Sequence, residues 1–142
     1  MRELTKSRVV SCRWSASLEA VCRLMAEENV GCAVVLDSHG NLCGIVTDRD
    51  LVVHGFANGH SPDTVVEAVM TRDVEWASED VDVFEAATRM AERGFRRLPL
   101  VDAQGHVTGI LTLDDLLALF TRQLDKVARA AGSKTRGPIG PI

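Results

Sequence analysis

A gapless internal repeat constrains this chain more than any other feature. Gly44-Ile45-Val46-Thr47-Asp48-Arg49-Asp50-Leu51 returns as Gly109-Ile110-Leu111-Thr112-Leu113-Asp114-Asp115-Leu116, an offset of 65 residues (109 − 44). The same offset aligns Met25/Met90, Ala26/Ala91, Glu27/Glu92, Asp37/Asp102 and Gly40/Gly105. A unit of this size present twice is a pseudo-two-fold pair; a solenoid needs more copies.

The elements inside the two copies agree. Leu18, Val21, Cys22 and Met25 lie at i, i+3, i+4 and i+7, and their counterparts Val83, Ala86, Ala87 and Met90 repeat that helical stripe. Ser17 is placed to cap the first helix, and Asp82 with Glu85 resembles a capping box on the second. Both helices are expected to stop at Asn29 and Gly94, residue types that tolerate the left-handed conformation. Next come Cys32–Leu36 with Leu42–Thr47, and Leu98–Val101 with Val107–Thr112, each pair flanking an Asp/Gly turn. These read as antiparallel hairpins. A second helix follows each, at about Arg49 to Ala57 and Asp114 to Ala130. Short strands are expected ahead of the first helices, at Arg8 to Ser11 and Asp73 to Trp76. Each repeat is then β-α-β-β-α, an α+β fold. The halves should pack sheet to sheet, because neither can cover a two-faced sheet alone.

The repeats are expected at 1–60 and 71–130. Between them, Asn58 to Asp63 is turn-rich, and Thr64-Val65-Val66-Glu67 reads as a capping box opening a lead-in helix to about Met70. The Gly/Pro-rich tail, within 131–142, is expected to be disordered.

Composition narrows the function classes. Of 142 residues, 46% are hydrophobic and 25% charged, as in ordinary globular domains. No apolar run approaches the roughly 20 residues of a membrane span. The polar N-terminus carries no apolar signal core, so the expected location is cytoplasmic, with no membrane partner. A net charge of −4 and 4% aromatics argue against a nucleic-acid interface. Cys12, Cys22, Cys32 and Cys43 form no C-x-x-C, and no metal site is expected. They read as small buried apolar residues, with a redox or metal role as the alternative. His39, His54, His60 and His106 are scattered and read as surface polar residues. Trp14 and Trp76 read as packing.

The doubled β-α-β-β-α unit, with Gly-apolar-apolar-Thr-x-x-Asp closing each hairpin, resembles the cystathionine-β-synthase (CBS) domain pair, or Bateman module. Ala86 to Met90 and Arg96-Arg97-Leu98-Pro99-Leu100-Val101-Asp102 carry the resemblance further. The phrase Thr47 to Val53 is similar to small stand-alone bacterial members of the hypoxic response protein type. The resemblance implies a regulatory module that is not an enzyme. It binds AMP, ADP or ATP, or alternatively NAD or S-adenosylmethionine, in clefts between the repeats, with no required cofactor. It also implies a homodimer. Thr47 with Asp50, and Thr112 with Asp115, are the implied phosphate and ribose contacts. Arg96 and Arg97 supply the basic residues such modules often carry ahead of the middle strand. Repeat one has Gly31 and Cys32 there.

The chemistry suits a nucleotide. Carboxylates such as Asp50 and Asp115 can accept from ribose hydroxyls. Helix N-termini offer free N–H groups to phosphate. Arg96 and Arg97 can grip phosphate oxygens bidentately, and Arg49 could serve the first corner in the same way. Adenine would be held near Val9-Val10 and Val74-Glu75. Asp114 beside Asp115 disfavours a polyphosphate. Two readings stay open. Thr-x-x-Asp also makes a capping box, so the corners either bind a ligand or only cap their helices within a ligand-independent dimeric interaction module. With no effector domain in view, the output is expected to pass through a protein partner or a change in the dimer. An enzyme is disfavoured, since no nucleophile stands beside a base and no metal cluster is apparent.

Overall fold

The computed structural model describes residues 9–134. Repeat one runs β1 (Ser11–Arg13), α1 (Leu18–Glu28), β2 (Cys32–Leu36), β3 (Leu42–Thr47) and α2 (Asp48–Asp50). Repeat two runs β4 (Ala77–Ser78), α3 (Val83–Arg93), β5 (Arg97–Val101), β6 (Val107–Thr112) and α4 (Leu113–Lys134). Each repeat builds one three-stranded sheet, with the first strand parallel to the second and the second antiparallel to the third. Pairs such as Ala33↔Val46 and Leu98↔Leu111 obey the 65-residue offset.

The first helices are bounded as their sequences dictate. Ser17 Oγ accepts the Ala20 N–H. Asp82 Oδ1 accepts the Phe84 and Glu85 N–H groups, with no return bond from Glu85 among the described residues. Asn29 (φ 53°) and Gly94 (φ 71°) end the helices in the left-handed region. In each hairpin turn an aspartate closes the loop. Asp37 Oδ1 takes the His39 and Asn41 N–H groups, and Asp102 Oδ1 those of Gln104 and His106.

Alternation along the strands sorts their side chains. Ala33, Val35 and Val46 face α1 and join Leu18, Val21, Met25 and Leu51 in one core. Leu98, Leu100 and Leu111 face α3 and join Ala86, Met90 and Leu116 in the other. Val34 and Pro99, equivalent under the offset, are fully buried yet lie outside both cores. They occupy the opposite faces, where the two sheets cover each other. Burying a Leu or Val contributes about 1.5–3 kcal/mol, so the fold rests on these three apolar layers.

Four expectations need correction. The first strands lie three or four residues later than the apolar pairs suggested. β1 pairs Ser11 with Val34 and β4 pairs Ala77 with Leu100; Arg8 itself lies outside the described residues. Val9, Val10, Val74 and Glu75 are left to line cavities, which explains the apolar character of the three valines without a strand. Thr64 forms no capping box. The lead-in is a 3-10 turn, Val66–Ala68, whose cap position is Val65. The second helix of repeat one is not regular: α2 passes into a π-helical segment, Leu51–Gly55, and a 3-10 turn, Phe56–Asn58. Val52-Val53 and Gly55 are poor helix formers. Lastly, α4 reaches Lys134, into the stretch expected as tail; residues 135–142 lie outside the described residues.

The lead-in to repeat two is stitched to repeat one. Thr71 exchanges both backbone hydrogen bonds with Ile45 on the free edge of β3. Gly44 permits it, because a Cβ there would stand 2.6 Å from Met70 Sδ and 2.9 Å from the Thr71 carbonyl oxygen.

Candidate functional site

Both Thr/Asp corners are closed as capping boxes. Thr47 Oγ1 accepts the Asp50 N–H at 3.1 Å while Asp50 Oδ2 accepts the Thr47 N–H at 2.9 Å. Thr112 and Asp115 repeat both distances, and the Thr112 hydroxyl also donates to Asp115 Oδ2 at 2.7 Å. The corner is tied to the residue just ahead of the middle strand in the same way in each repeat. Asp48 donates its N–H to the Gly31 carbonyl, and Leu113 donates to Arg96.

What surrounds the two corners differs. At the second, a polar hollow of about 280 Å³ is lined by Arg96, Arg97, Thr112, Leu113 and Asp114. Adjoining it is an apolar hollow of about 240 Å³, lined by Val9, Val10, Val30, Gly31, Cys32, Val34, Arg97, Ile110 and Thr112. Arg97 and Thr112 belong to both. Together they form one cleft whose apolar end comes mainly from repeat one and whose cationic end comes from repeat two. Such a volume suits a small-molecule site. Asp115 lines neither hollow; it stands behind Thr112 and holds that hydroxyl. Asp114, whose charge beside Asp115 was expected to disfavour a polyphosphate, lines the polar end.

Arg97 and Cys32 line the same hollow from opposite halves, and the guanidinium lies close enough to the thiol to lower its pKa. Burial pushes that thiol's pKa up, and the guanidinium pulls it part of the way back. Burial likewise raises Cys12, to about 11, with Cys43 adding to the effect, and raises Cys43 itself. These three thiols stay protonated at neutral pH, which is poor chemistry for redox sensing. Cys22 departs from expectation, being exposed rather than buried.

At the first corner, Thr47, Arg49 and Asp50 line none of these cavities. Arg49 is exposed, and Asp50 Oδ1 faces His54 Nε2 at 3.8 Å. The position equivalent to Val10 is Glu75, whose carboxylate pairs with Arg89 at 3.0 Å and with Arg93. A separate hollow of about 350 Å³ opens there, lined by Val74, Glu75, Trp76, Ala77, Ser78 and Arg89. Trp76 is thus a rim residue, 53% exposed. The structure brings Arg96, Arg97 and Thr112 together, backs them with Asp115, and leaves Thr47, Arg49 and Asp50 apart. Among the described residues no cluster of three or more His, Cys, Asp or Glu could hold a metal.

The CBS domain matches the chain twice, over residues 1–55 and 66–122. The chain belongs to the CBS domain family. An uncharacterised 17.7 kDa protein of Acidianus ambivalens is 33% identical, covering 99% of this chain and 85% of that one. An uncharacterised Methanopyrus kandleri protein is 38% identical over 66% of this chain, which spans about half (48%) of that relative. The CBS domain pair of protein MJ0100, solved with 5′-methylthioadenosine and S-adenosyl-L-methionine, superposes with a TM-score of 0.75 at 26% identity (86% and 95% covered). CBSX2 in complex with AMP gives 0.70 at 27% identity (83% and 91%). Hypoxic Response Protein I, solved with two coordinated zinc ions, shares the fold at a TM-score of 0.72 and 24% identity (82% and 95%).

Cys32, like Val30, Val34, Ile110 and Leu113, is a cleft residue of this CBS pair that sequence reasoning did not assign to the site. The signal for Cys32 was its position, equivalent to Arg97 under the repeat, where the cysteine pattern suggested inert packing.

Proposed function

We propose that this CBS pair is a regulatory module, not an enzyme, that binds an adenosyl ligand in the cleft at its second corner. The observation that carries this is the adjacency of an apolar hollow and a cationic one, joined through Arg97 and Thr112. Val9, Val10, Val34 and Ile110 take the adenine. Thr112, held by Asp115, takes the ribose or first phosphate. Arg96 and Arg97 take phosphate oxygens. Asp114 at the polar end disfavours added negative charge, so AMP is preferred over ADP and ATP; NAD and S-adenosylmethionine are the further candidates. Thr47, Asp50 and Arg49 form the weaker site. Binding does work only if the ligand prefers one of two arrangements, read out by a protein partner or a dimer.

The test is a thermal shift with AMP, ADP, ATP, NAD and S-adenosylmethionine in parallel. At a ligand concentration 100 times Kd the stabilisation is about 2.7 kcal/mol. No shift with any of the five at millimolar concentration sinks the reading. One observation favours the rival ligand-independent interaction module: both Thr/Asp pairs already satisfy each other as caps. Under that reading Asp115→Ala costs only cap-sized stability and leaves partner binding unchanged.

A further inference from the structure

The residue that follows each corner threonine differs in kind: Asp48 in repeat one, Leu113 in repeat two. Both are held by the same bond, since Asp48 donates its N–H to the Gly31 carbonyl and Leu113 donates to that of Arg96. Their surroundings then diverge. Leu113 stands with Arg96 in the lining of the polar hollow. Asp48 lies against Gly31, with Oδ2 3.2 Å from where a Cβ on that glycine would be. The carboxylate therefore fills the space from which an arginine side chain leaves the backbone in repeat two. At equivalent places, a negative charge has replaced a positive one.

Gly31 and Cys32 also line the apolar hollow of the second corner. Asp48 lines neither hollow, but it stands against that wall, and its charge reaches the cleft. Burial raises the pKa of the Cys32 thiol most, Arg97 lowers it from the other half, and Asp48 raises it again. The charges that bear on the cleft are then Arg96 and Arg97 against Asp48 and Asp114, two of each sign. An acid in a first helical turn is favoured by the dipole, yet Asp50 already supplies one, and the dipole does not call for a glycine at position 31.

We propose that Asp48 is a specificity-determining residue of the second-corner cleft, opposing anionic groups on the ligand from the opposite repeat. Each phosphate added to the ligand meets Asp48 as well as Asp114. This rests on the adenosyl reading of the cleft and adds to it a residue outside the lining.

Calorimetric titration of the wild type and Asp48→Asn with adenosine, AMP and ATP tests it. The three ligands share the nucleoside and differ in the number of phosphates. Asparagine keeps the oxygen that accepts the Arg49 N–H, so the corner stays closed. The expected result is a Kd for AMP lowered about two- to fivefold, the size of an exposed ion pair. ATP should gain more, and adenosine should not change. Asp48 is exposed, so the gain should shrink in about 1 M salt, where the screening length is about 3 Å. Asp125→Asn removes the same charge from the exposed part of α4 and should bind all three ligands like the wild type. A wild type that binds none of the three overturns the nucleotide reading and this proposal with it. A wild type that binds AMP, beside an Asp48→Asn variant that binds AMP and ATP no more tightly, overturns this proposal alone. So does an equal gain for adenosine, which makes the effect one of shape, or an equal gain in Asp125→Asn, which makes it one of net charge.

Discussion

At the first corner, Thr47 and Asp50 cap a helix that lasts three residues before widening into a π-helical segment. At the second, Thr112 and Asp115 make the same bonds, and the helix runs on for 22 residues. Gly55 explains part of the contrast: a Cβ there would stand 3.4 Å from Leu18 Cδ1, so the backbone lies close against α1. Its counterpart is Phe120, whose ring stacks on Phe84 of α3. The walls differ as well. Gly31 and Cys32 stand where repeat two has Arg96 and Arg97, and Glu75 stands where repeat one has Val10. One octapeptide therefore yields a cleft with a cationic end in one place and a half-buried cap away from that cleft in the other. The motif sets the local hydrogen bonds, while the walls set what can bind.

The comparison can be broken at the cores first. Repeat two carries Leu98, Leu100 and Leu111 where repeat one has Ala33, Val35 and Val46, all buried. Leu98→Ala or Leu100→Ala should cost about 2–5 kcal/mol in urea unfolding. Val35→Ala should cost distinctly less, since fewer atoms leave. Equal losses would mean that the two cores are filled alike.

Ligand affinity gives the next largest contrast. Arg97→Ala removes a charge-assisted contact of about 1.5–3 kcal/mol, roughly ten- to hundredfold in the Kd for AMP. Arg49→Ala should change it less than about threefold, in the range of an exposed ion pair. Calorimetric titration of both variants reads this directly; a larger effect at Arg49 would reverse the assignment of the stronger site.

Cap removal should separate stability from binding. Thr47→Ala and Thr112→Ala should each lower stability by about 1 kcal/mol. Only Thr112→Ala should also weaken AMP. If both variants bind AMP like the wild type, the threonines are caps and nothing more.

The smallest effect should be identical in the two halves. Hydrogen bonds from the Asn41 and His106 N–H groups hold Asp37 and Asp102 below the ordinary 3.8 of an aspartate. Their stabilisation is complete above the unfolded-state value and fades as the pH falls through the lower folded-state value. Carboxyl carbon shifts followed by NMR should titrate below 3.8 for both. A midpoint at or above that value in either turn breaks the symmetry.

Much of this molecule was legible without coordinates, because the cues were local. The offset revealed two units. Asn29 and Gly94 marked helix ends by their tolerance of positive φ, and Asp37 and Asp102 marked turns by the reach of a short carboxylate. Period-two and period-3.6 patterns separated strands from helices. Where those cues misled, a distant partner had decided. Val9-Val10 looked like a strand because apolar residues are also what a cleft wall needs. Thr64 looked like a cap, but the Thr64 and Ala16 carbonyls bond the Leu18 and Val66 N–H groups and bind the lead-in to the entry of α1.

The sequence alone determined the doubling, the order of elements and the hydrogen bonds of each Thr/Asp corner, since those depend on residues within a turn of one another. Only the tertiary structure decided that Arg97 and Cys32 share one hollow, that Asp115 stands behind Thr112 instead of lining the cleft, and that the two corners are unequal. Those outcomes depend on which side chains from the other half arrive at each corner, and a pattern read along one chain carries no measure of that distance.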